Sequence, residues 1–409
     1  MTKLKQVDSQ ISKLIEAEEK RQGETLDLIA SENYPSQAVR EALSSIFVAK
    51  YSEGRPFKRY YAGMENVDKL ETLVEERARK VFGLNQEWAV NVQPYSGSPA
   101  NYAVLRGLLS PGDKILSLPL AHGGHLTHGA SVSVTGQDFK VVNYFVNKNG
   151  FLDYDEIEEV AKRENPKLII TGYTAYPRKI DFERFSKIAK SVGAFLHADI
   201  SHIAGLIVGK VHPSPFPFAD TIMTTTHKSL RGPRGAMIIC KEELRGKIFP
   251  KVFPGLQGGP HNHTIAAIGV ALKEAMSPAF KKYAEQIVKN TQVLAVELKK
   301  FSFNLVSGGS DNHLILVDLT NKNIQGKEAQ VLLESAGIVL NKNAVPYDPN
   351  PPVNPSGIRL GTPALTTRGM KEKEMKKIAF WINEVIANPN SAKKVKKEIG
   401  AFCKKFPIK

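Results

Sequence analysis

Residues 221–235 read Thr221-Ile222-Met223-Thr224-Thr225-Thr226-His227-Lys228-Ser229-Leu230-Arg231-Gly232-Pro233-Arg234-Gly235. The first part is the end of a β-branched run of the kind that fills a buried strand. Gly232, Pro233 and Gly235 forbid a helix through the second part, so the strand opens into a basic loop carrying Lys228. Arg231 and Arg234 flank that lysine, and like charges disfavour a protonated amine. Its pKa is therefore expected below the ordinary value of about 10.4. A neutral lysine is what Schiff-base chemistry on a carbonyl requires. Taken alone, the stretch reads more simply as a solvated or phosphate-binding surface loop. Its neighbours in the fold decide between the two.

Working outward, upstream segments alternate with the periods of strand and helix. Strands are predicted at 88–92, 114–118, 141–145, 168–171 and 195–197, and helices at 67–82, 154–163 and 182–191. This rhythm predicts a mainly parallel sheet with helices on both faces and ligands at the strands' carboxyl ends. Asp199, in Ala198-Asp199-Ile200-Ser201-His202, stands at one such end among apolar neighbours. A buried carboxylate needs a partner that keeps it charged. Another strand end runs into Tyr95-Ser96-Gly97-Ser98-Pro99, with a helix continuing through Leu109. Free N–H groups and hydroxyls at a helix start can hold an anion, although a plain helix cap has the same composition. A lysine for a Schiff base, an acid for a pyridinium nitrogen and a phosphate cup are together the handles of pyridoxal phosphate.

Three further stretches carry chemistry. Ala121-His122-Gly123-Gly124-His125-Leu126-Thr127-His128-Gly129 holds three histidines but no cysteine or acid, which favours ring stacking or acid–base work over a metal. Tyr51-Ser52-Glu53-Gly54-Arg55-Pro56-Phe57-Lys58-Arg59-Tyr60-Tyr61 is too polar for core and too aromatic for an ordinary loop. It reads as a site-lining loop with Glu53 as acid or base, or as a loop salt bridge. Leu28-Ile29-Ala30-Ser31-Glu32-Asn33 is an apolar strand running into polar residues. Ser31 and Asn33 read there as caps of a helix beginning at Ser36.

Composition narrows the class. The chain has 409 residues, enough for two or three domains, and its 42% hydrophobic and 24% charged content is that of a globular protein. Two cysteines exclude a disulfide framework and predict a reducing compartment. Residues 1–21 lack the apolar core of a signal peptide, and no apolar run is long enough to span a bilayer. A cytoplasmic protein is expected. The 56 Lys and Arg exceed the 41 Asp and Glu to give +15, and residues 371–409 alone hold 11 Lys against 4 Glu. Lys393, Lys394, Lys396 and Lys397 alternate with Val395 and Ile399 as on a solvated helix face. No zinc spacing or RNA-binding motif accompanies them, so no nucleic-acid partner is expected, and an RNA-binding role of this surface is only a rival reading.

The motifs quoted, taken in their order along the chain, resemble those of the serine hydroxymethyltransferase family over essentially the whole chain. Phe253-Pro254-Gly255-Leu256-Gln257-Gly258-Gly259-Pro260 and Ser356-Gly357-Ile358-Arg359-Leu360-Gly361-Thr362 extend the match. The resemblance implies the fold of aspartate-aminotransferase-type pyridoxal-phosphate enzymes (fold type I). It divides the chain into a helical arm (1–24), a large cofactor-binding domain (25–278) and a small C-terminal domain (279–409). It also implies roles. Lys228 would hold pyridoxal phosphate covalently, Asp199 would pair with its ring nitrogen and His125 would stack on the ring. Ser96, Gly97 and Ser98 would hold the phosphate, joined by Gly258 and Gly259 of a second subunit. Thr174, His202 and His227 would support ring and phosphate. Arg359 and Ser31 would take the substrate carboxylate. Tyr51, Glu53 and Tyr61 would act at the hydroxymethyl end, with Tyr51 and Glu53 crossing a dimer interface. Leu120, Leu126 and Asn343 would bind tetrahydrofolate.

The implied activity interconverts L-serine and tetrahydrofolate with glycine and 5,10-methylenetetrahydrofolate in a homodimer or tetramer, with β-hydroxy-amino-acid aldolase activity beside it. A folate-independent threonine or phenylserine aldolase and an α-methylserine hydroxymethyltransferase are the rival enzymes. The chain departs from the family's pattern at Ala62, Met64, Asn66, Met223, Ser201 and Ser229, none of which removes a group the chemistry needs.

Overall fold

A computed structural model describes residues 3–408. Its centre is a seven-stranded sheet whose order across the sheet is Trp88–Asn91, Ala236–Lys241, Thr221–Thr225, Phe195–Asp199, Leu168–Thr171, Lys114–Ser117 and Lys140–Asn143. Only Ala236–Lys241 runs antiparallel to its neighbours. Strands Leu168–Thr171 and Thr221–Thr225 are buried at every position, as strands covered on both faces must be. Helices Tyr154–Glu164 and Phe182–Ser191 pack there by burying Ile157 and Val160, and Phe185 and Ile188, in the sheet's core, and side-chain caps set where they start. Asp153 accepts from the N–H groups of Asp155 and Glu156, and Asp181 from that of Arg184. The alternation read from the sequence is therefore a doubly wound α/β unit.

A second, antiparallel sheet joins Asn304–Leu305, Leu314–Asp318, Gly357–Gly361 and Asn341–Asn343. It has its own core around Trp381, Leu333 and Ile358. Helix Pro278–Lys300 spans both units: Phe280 and Ile287 sit in the first core, Leu294 and Leu298 in the second. Leu26 and Leu28 also lie in this second core, and Leu26–Asp27 pairs with Ile338–Val339.

The N-terminal segment forms helix Ser9–Glu24, capped by Asp8. Near the C-terminus, helix Ala392–Cys403 buries Val395, Ile399 and Cys403 and turns Lys393, Lys394, Lys396 and Lys397 outward, the solvated face that its spacing predicts. Among the described residues no helix is long and apolar enough to cross a membrane.

Candidate active site

Two neighbouring parallel strands place the central pair. Asp199 closes strand Phe195–Asp199 opposite Met223, and the chain then leaves Thr225 to reach Lys228 in the following loop. Asp199 accepts hydrogen bonds from Asn101 Nδ2 (2.9 Å), His128 Nε2 (3.1 Å) and the Ser201 N–H (3.0 Å). Burial pushes this carboxyl upward, but His128, with His125 and Lys228 nearby, holds it well below the usual carboxylate range. It is an anion kept in a dry place. Burial also brings the Lys228 amine down to about 8; Asp199 opposes that shift, and Arg359 and Arg234 reinforce it. From the sequence alone, Arg231 and Arg234 are the expected cause. The loop is in fact buried, desolvation comes first, and Arg231 turns away to lie over the Tyr283 ring at 4.6 Å.

Both residues line a cavity of about 400 Å³. One wall is the start of helix Gly97–Leu108. Ser96 is its N-cap, yet the Ser96 side chain makes no capping bond, which leaves hydroxyl and helix N–H groups available to an anion. Gly97 is required there, because a Cβ would come within 2.8 Å of Thr225 Cγ2. Ser98 lines the same wall, while Thr225 Oγ1 and His227 Nδ1 are buried polar atoms without a partner among the described residues. Burial, with Arg234 and Lys228, brings His227 down to about 3, so its ring is neutral and accepts from Arg234 Nη1 at 2.9 Å. An anionic carboxylate, a deprotonatable lysine and orphaned donors at a helix start fit pyridoxal phosphate by the chemistry of the donor set.

Across the cavity stands Arg359 from the small sheet. Its Nε donates to Asn341 Oδ1 (3.0 Å) and its Nη1 to the Thr174 carbonyl (2.7 Å), leaving Nη2 with no protein acceptor among the described residues. The Thr174 hydroxyl donates to the Gly124 carbonyl (2.7 Å) and so braces the glycine turn before His125. His125, brought down to about 4 mainly by burial, shares a 2.7 Å hydrogen bond between its Nδ1 and Thr127 Oγ1. His202 lies 3.1 Å from His313, nitrogen to nitrogen, in the same wall. Ser31 and Asn343 reach the cavity too, with Leu120 and Leu126 half-exposed at its rim.

Five of the expected residues are not in this cavity. Tyr51, Glu53, Tyr61, Gly258 and Gly259 form a second cluster on the same chain. A Cβ on Gly259 would come within 3.2 Å of the Tyr51 ring, and one on Gly258 within 3.3 Å of Glu53 Oε1. Tyr51 and Tyr61 meet edge to face at 5.3 Å and are 56% and 47% exposed, unusual for paired aromatic rings. The Glu53 charge raises the Tyr61 hydroxyl. Beneath them Arg59, itself buried, donates through Nη1 to the carbonyls of Ser52 and Gly54 on either side of Glu53, both at 2.9 Å, and bridges Asp68 and Glu71. The salt bridge from Glu53 to an arginine that the loop's composition suggests is not made among the described residues; Arg59 pairs instead with Asp68 and Glu71.

The sequence gives no individual role to His128, Asn101, Asn341 or Arg59. The His-x-x-His spacing offered a signal for His128; Asn101, ninety-eight residues from Asp199, offered none. The three histidines also separate. His122 lies edge-on to Phe145 and Tyr347, whereas His125, His128 and Asp199 bring ligand atoms within 4.8 Å of one another. Protein hydrogen bonds from His128 to Asp199 and between Thr127 and His125 already use that set. Asn33 caps no helix: Ser36 caps the helix Gln37–Leu43, and the Asn33 amide points into the fold.

The serine hydroxymethyltransferase family model matches residues 4–382. The chain is 54% identical to a serine hydroxymethyltransferase of Desulfotalea psychrophila over 410 aligned residues, covering 100% of this chain and 96% of that one. It is 57% identical to one from Acidothermus cellulolyticus (92% and 88% covered) and 52% identical to one from Sorangium cellulosum (99% and 96%). With this cavity and these likenesses, the chain belongs to the serine hydroxymethyltransferase family.

Proposed function

We propose how this chain's residues carry out the family's reaction, in which L-serine and tetrahydrofolate give glycine and 5,10-methylenetetrahydrofolate with pyridoxal phosphate as cofactor. The observation that carries the assignment is that Lys228, Asp199 and Arg359 face one cavity from three different segments. Lys228 holds the cofactor covalently, and its amine, half neutral near pH 8, suits that attachment. Asp199 stays anionic and so keeps a proton on the ring nitrogen. Ser96, Gly97, Ser98 and His227 hold the phosphate, while His125, Thr174 and His202 fix the ring. Arg359, with Ser31, binds the serine carboxylate through the guanidinium nitrogen left free by its protein contacts. When bound, pyridoxal phosphate supplies the electron sink for the pair released as the Cα–Cβ bond of serine breaks. Leu120, Leu126 and Asn343 receive tetrahydrofolate at the rim.

The second cluster supports a homodimer, alone or as the unit of a tetramer. Glu53 and Tyr61 are catalytic in this reading but lie outside their own chain's cavity, beside Gly258 and Gly259. A second copy would bring Tyr51, Glu53, Gly258 and Gly259 to the cavity, with Glu53 moving the proton of the hydroxymethyl group and Tyr61 beside it. The three-part division at residues 24 and 278 belongs to the same proposal, supported by the two cores that meet in helix Pro278–Lys300, with Leu26 and Leu28 lent to the C-terminal one. So do a cytoplasmic location, the absence of a nucleic-acid partner, and aldolase activity on β-hydroxy amino acids.

Mixing two inactive variants tests the shared site. A hybrid of Lys228→Ala and Glu53→Gln chains contains one site with both groups intact. Activity should return after the two are unfolded and refolded together. No recovery, with hybrid formation shown by mass, would place Glu53 in its own chain's site.

A further inference from the structure

Asn33 lies outside every role assigned above, yet its side-chain amide has no unused atom. Nδ2 donates to the main-chain carbonyl of Lys228 (2.9 Å) and to the Tyr283 hydroxyl (2.7 Å). Oδ1 accepts from the Tyr34 N–H (3.0 Å) and from Thr367 Oγ1 (2.7 Å). Three remote pieces of chain therefore meet at one amide: the Lys228 loop, helix Pro278–Lys300 through Tyr283, and helix Pro363–Thr367 through Thr367. That last helix directly follows strand Gly357–Gly361, which carries Arg359. We infer that Asn33 is a positioning residue for the family reaction, fixing the main chain of Lys228 against the C-terminal unit that bears Arg359.

The loop needs such a tie. Lys228 follows the last strand residue, Thr225, by three positions, so no sheet ladder holds it. Among the described residues its carbonyl otherwise accepts only the turn bond from the Arg231 N–H (3.0 Å), and Arg231 takes a left-handed φ of 59° that is uncommon for a non-glycine residue. The Arg231 guanidinium packs on the ring of the same Tyr283 that Asn33 engages, so Tyr283 supports one end of the turn directly and the other through Asn33. Aspartate at 33 would set an acceptor against the Lys228 carbonyl, which can only accept. Glutamine would be one methylene too long for four bonds at 2.7–3.0 Å. The geometry needs asparagine. Misplacing a reacting group by about 1 Å costs on the order of a hundredfold in rate, so a main-chain tether at the cofactor lysine carries kinetic weight.

The inference rests on Lys228 being the cofactor lysine, and its test keeps the two apart. Asn33→Asp and Asn33→Ala are compared with the parent as loaded enzymes at 25 °C, well below their unfolding temperatures. Expected are one borohydride-fixed cofactor per chain, an altered visible circular dichroism band of the bound cofactor, and a kcat for serine lowered by about ten- to a hundredfold. KM for serine should stay within about threefold, because Arg359 keeps its own contacts with Asn341 and Thr174. A merely structural role would lower the unfolding temperature and leave the band and kcat in place; parental values in Asn33→Asp overturn the inference. Cofactor still fixed in a parallel Lys228→Ala chain would instead overturn the reading beneath it. Should neither Asn33 variant fold, Thr367 decides. Thr367→Val should slow turnover about threefold, as loss of one hydrogen bond does, and Thr367→Ser should restore it. Equal rates in the two would sink the idea.

Discussion

His128 Nε2 donates to Asp199 Oδ2 across 3.1 Å, and both side chains are buried. That contact, more than any other, keeps the carboxylate charged where burial alone would neutralise it. It connects the glycine–histidine loop to the end of strand Phe195–Asp199.

His128→Phe should therefore weaken pyridoxal phosphate binding by about tenfold, the cost of a charge-assisted hydrogen bond. Asp199→Ala should weaken it further, since a ring cation would be left without its partner, a change of several kcal/mol by analogy with broken buried pairs. Spectral titration of the cofactor-free variants measures both. Equal losses, or none in Asp199→Ala, would contradict the pairing.

Lys228→Ala should show no borohydride-fixable cofactor, and the cofactor-free parent should reveal the lysine through pH. Its folded amine titrates at about 8 against an ordinary 10.5, so the unfolded chain binds more protons between those values. The stability of the cofactor-free protein should rise with pH across that window and, for this group, be flat below it. Lys228→Met should abolish the rise. Urea midpoints at pH 7.5, 9 and 10.5 provide the comparison.

Arg359→Lys keeps a charge but loses the fork that lets Nη2 reach a carboxylate while Nε and Nη1 hold the protein. KM for serine should rise by about tenfold or more, with borohydride-fixed cofactor unchanged at one per chain. A lowered kcat at unchanged KM would remove Arg359 from carboxylate binding.

Glu53→Gln preserves shape and hydrogen bonding but cannot carry a proton. Serine cleavage with tetrahydrofolate should fall at least about a hundredfold, the usual loss of general acid–base help. Cleavage of 3-phenylserine without folate, whose aldehyde leaves more readily, should survive far better. Equal losses in the two assays would make Glu53 structural.

Arg59→Lys should show the same asymmetry as Glu53→Gln in weaker form, because only a guanidinium can hold the Ser52 and Gly54 carbonyls while pairing with Asp68 and Glu71. The ratio of the folate-dependent to the folate-independent rate measures it; an unchanged ratio would free Glu53 from Arg59.

By itself the sequence determined the local grammar: where strands alternate with helices, and which motifs carry a lysine, an acid and a phosphate cup. These are properties of periodicity, turn chemistry and residue type, all written within a few positions of one another. The strand rhythm was enough to predict the parallel sheet and to put Asp199 and Lys228 at neighbouring ends. Only the tertiary structure decided what burial and distant contacts decide. It made desolvation, and not Arg231, the main cause of the lowered Lys228 amine. It turned Asn33 from a helix cap into a tether 195 residues from its partner. It also kept Glu53 out of the wall of its own chain's cavity and set it beside Gly258. Such pairings depend on which surfaces the core brings together, and no local spacing encodes them.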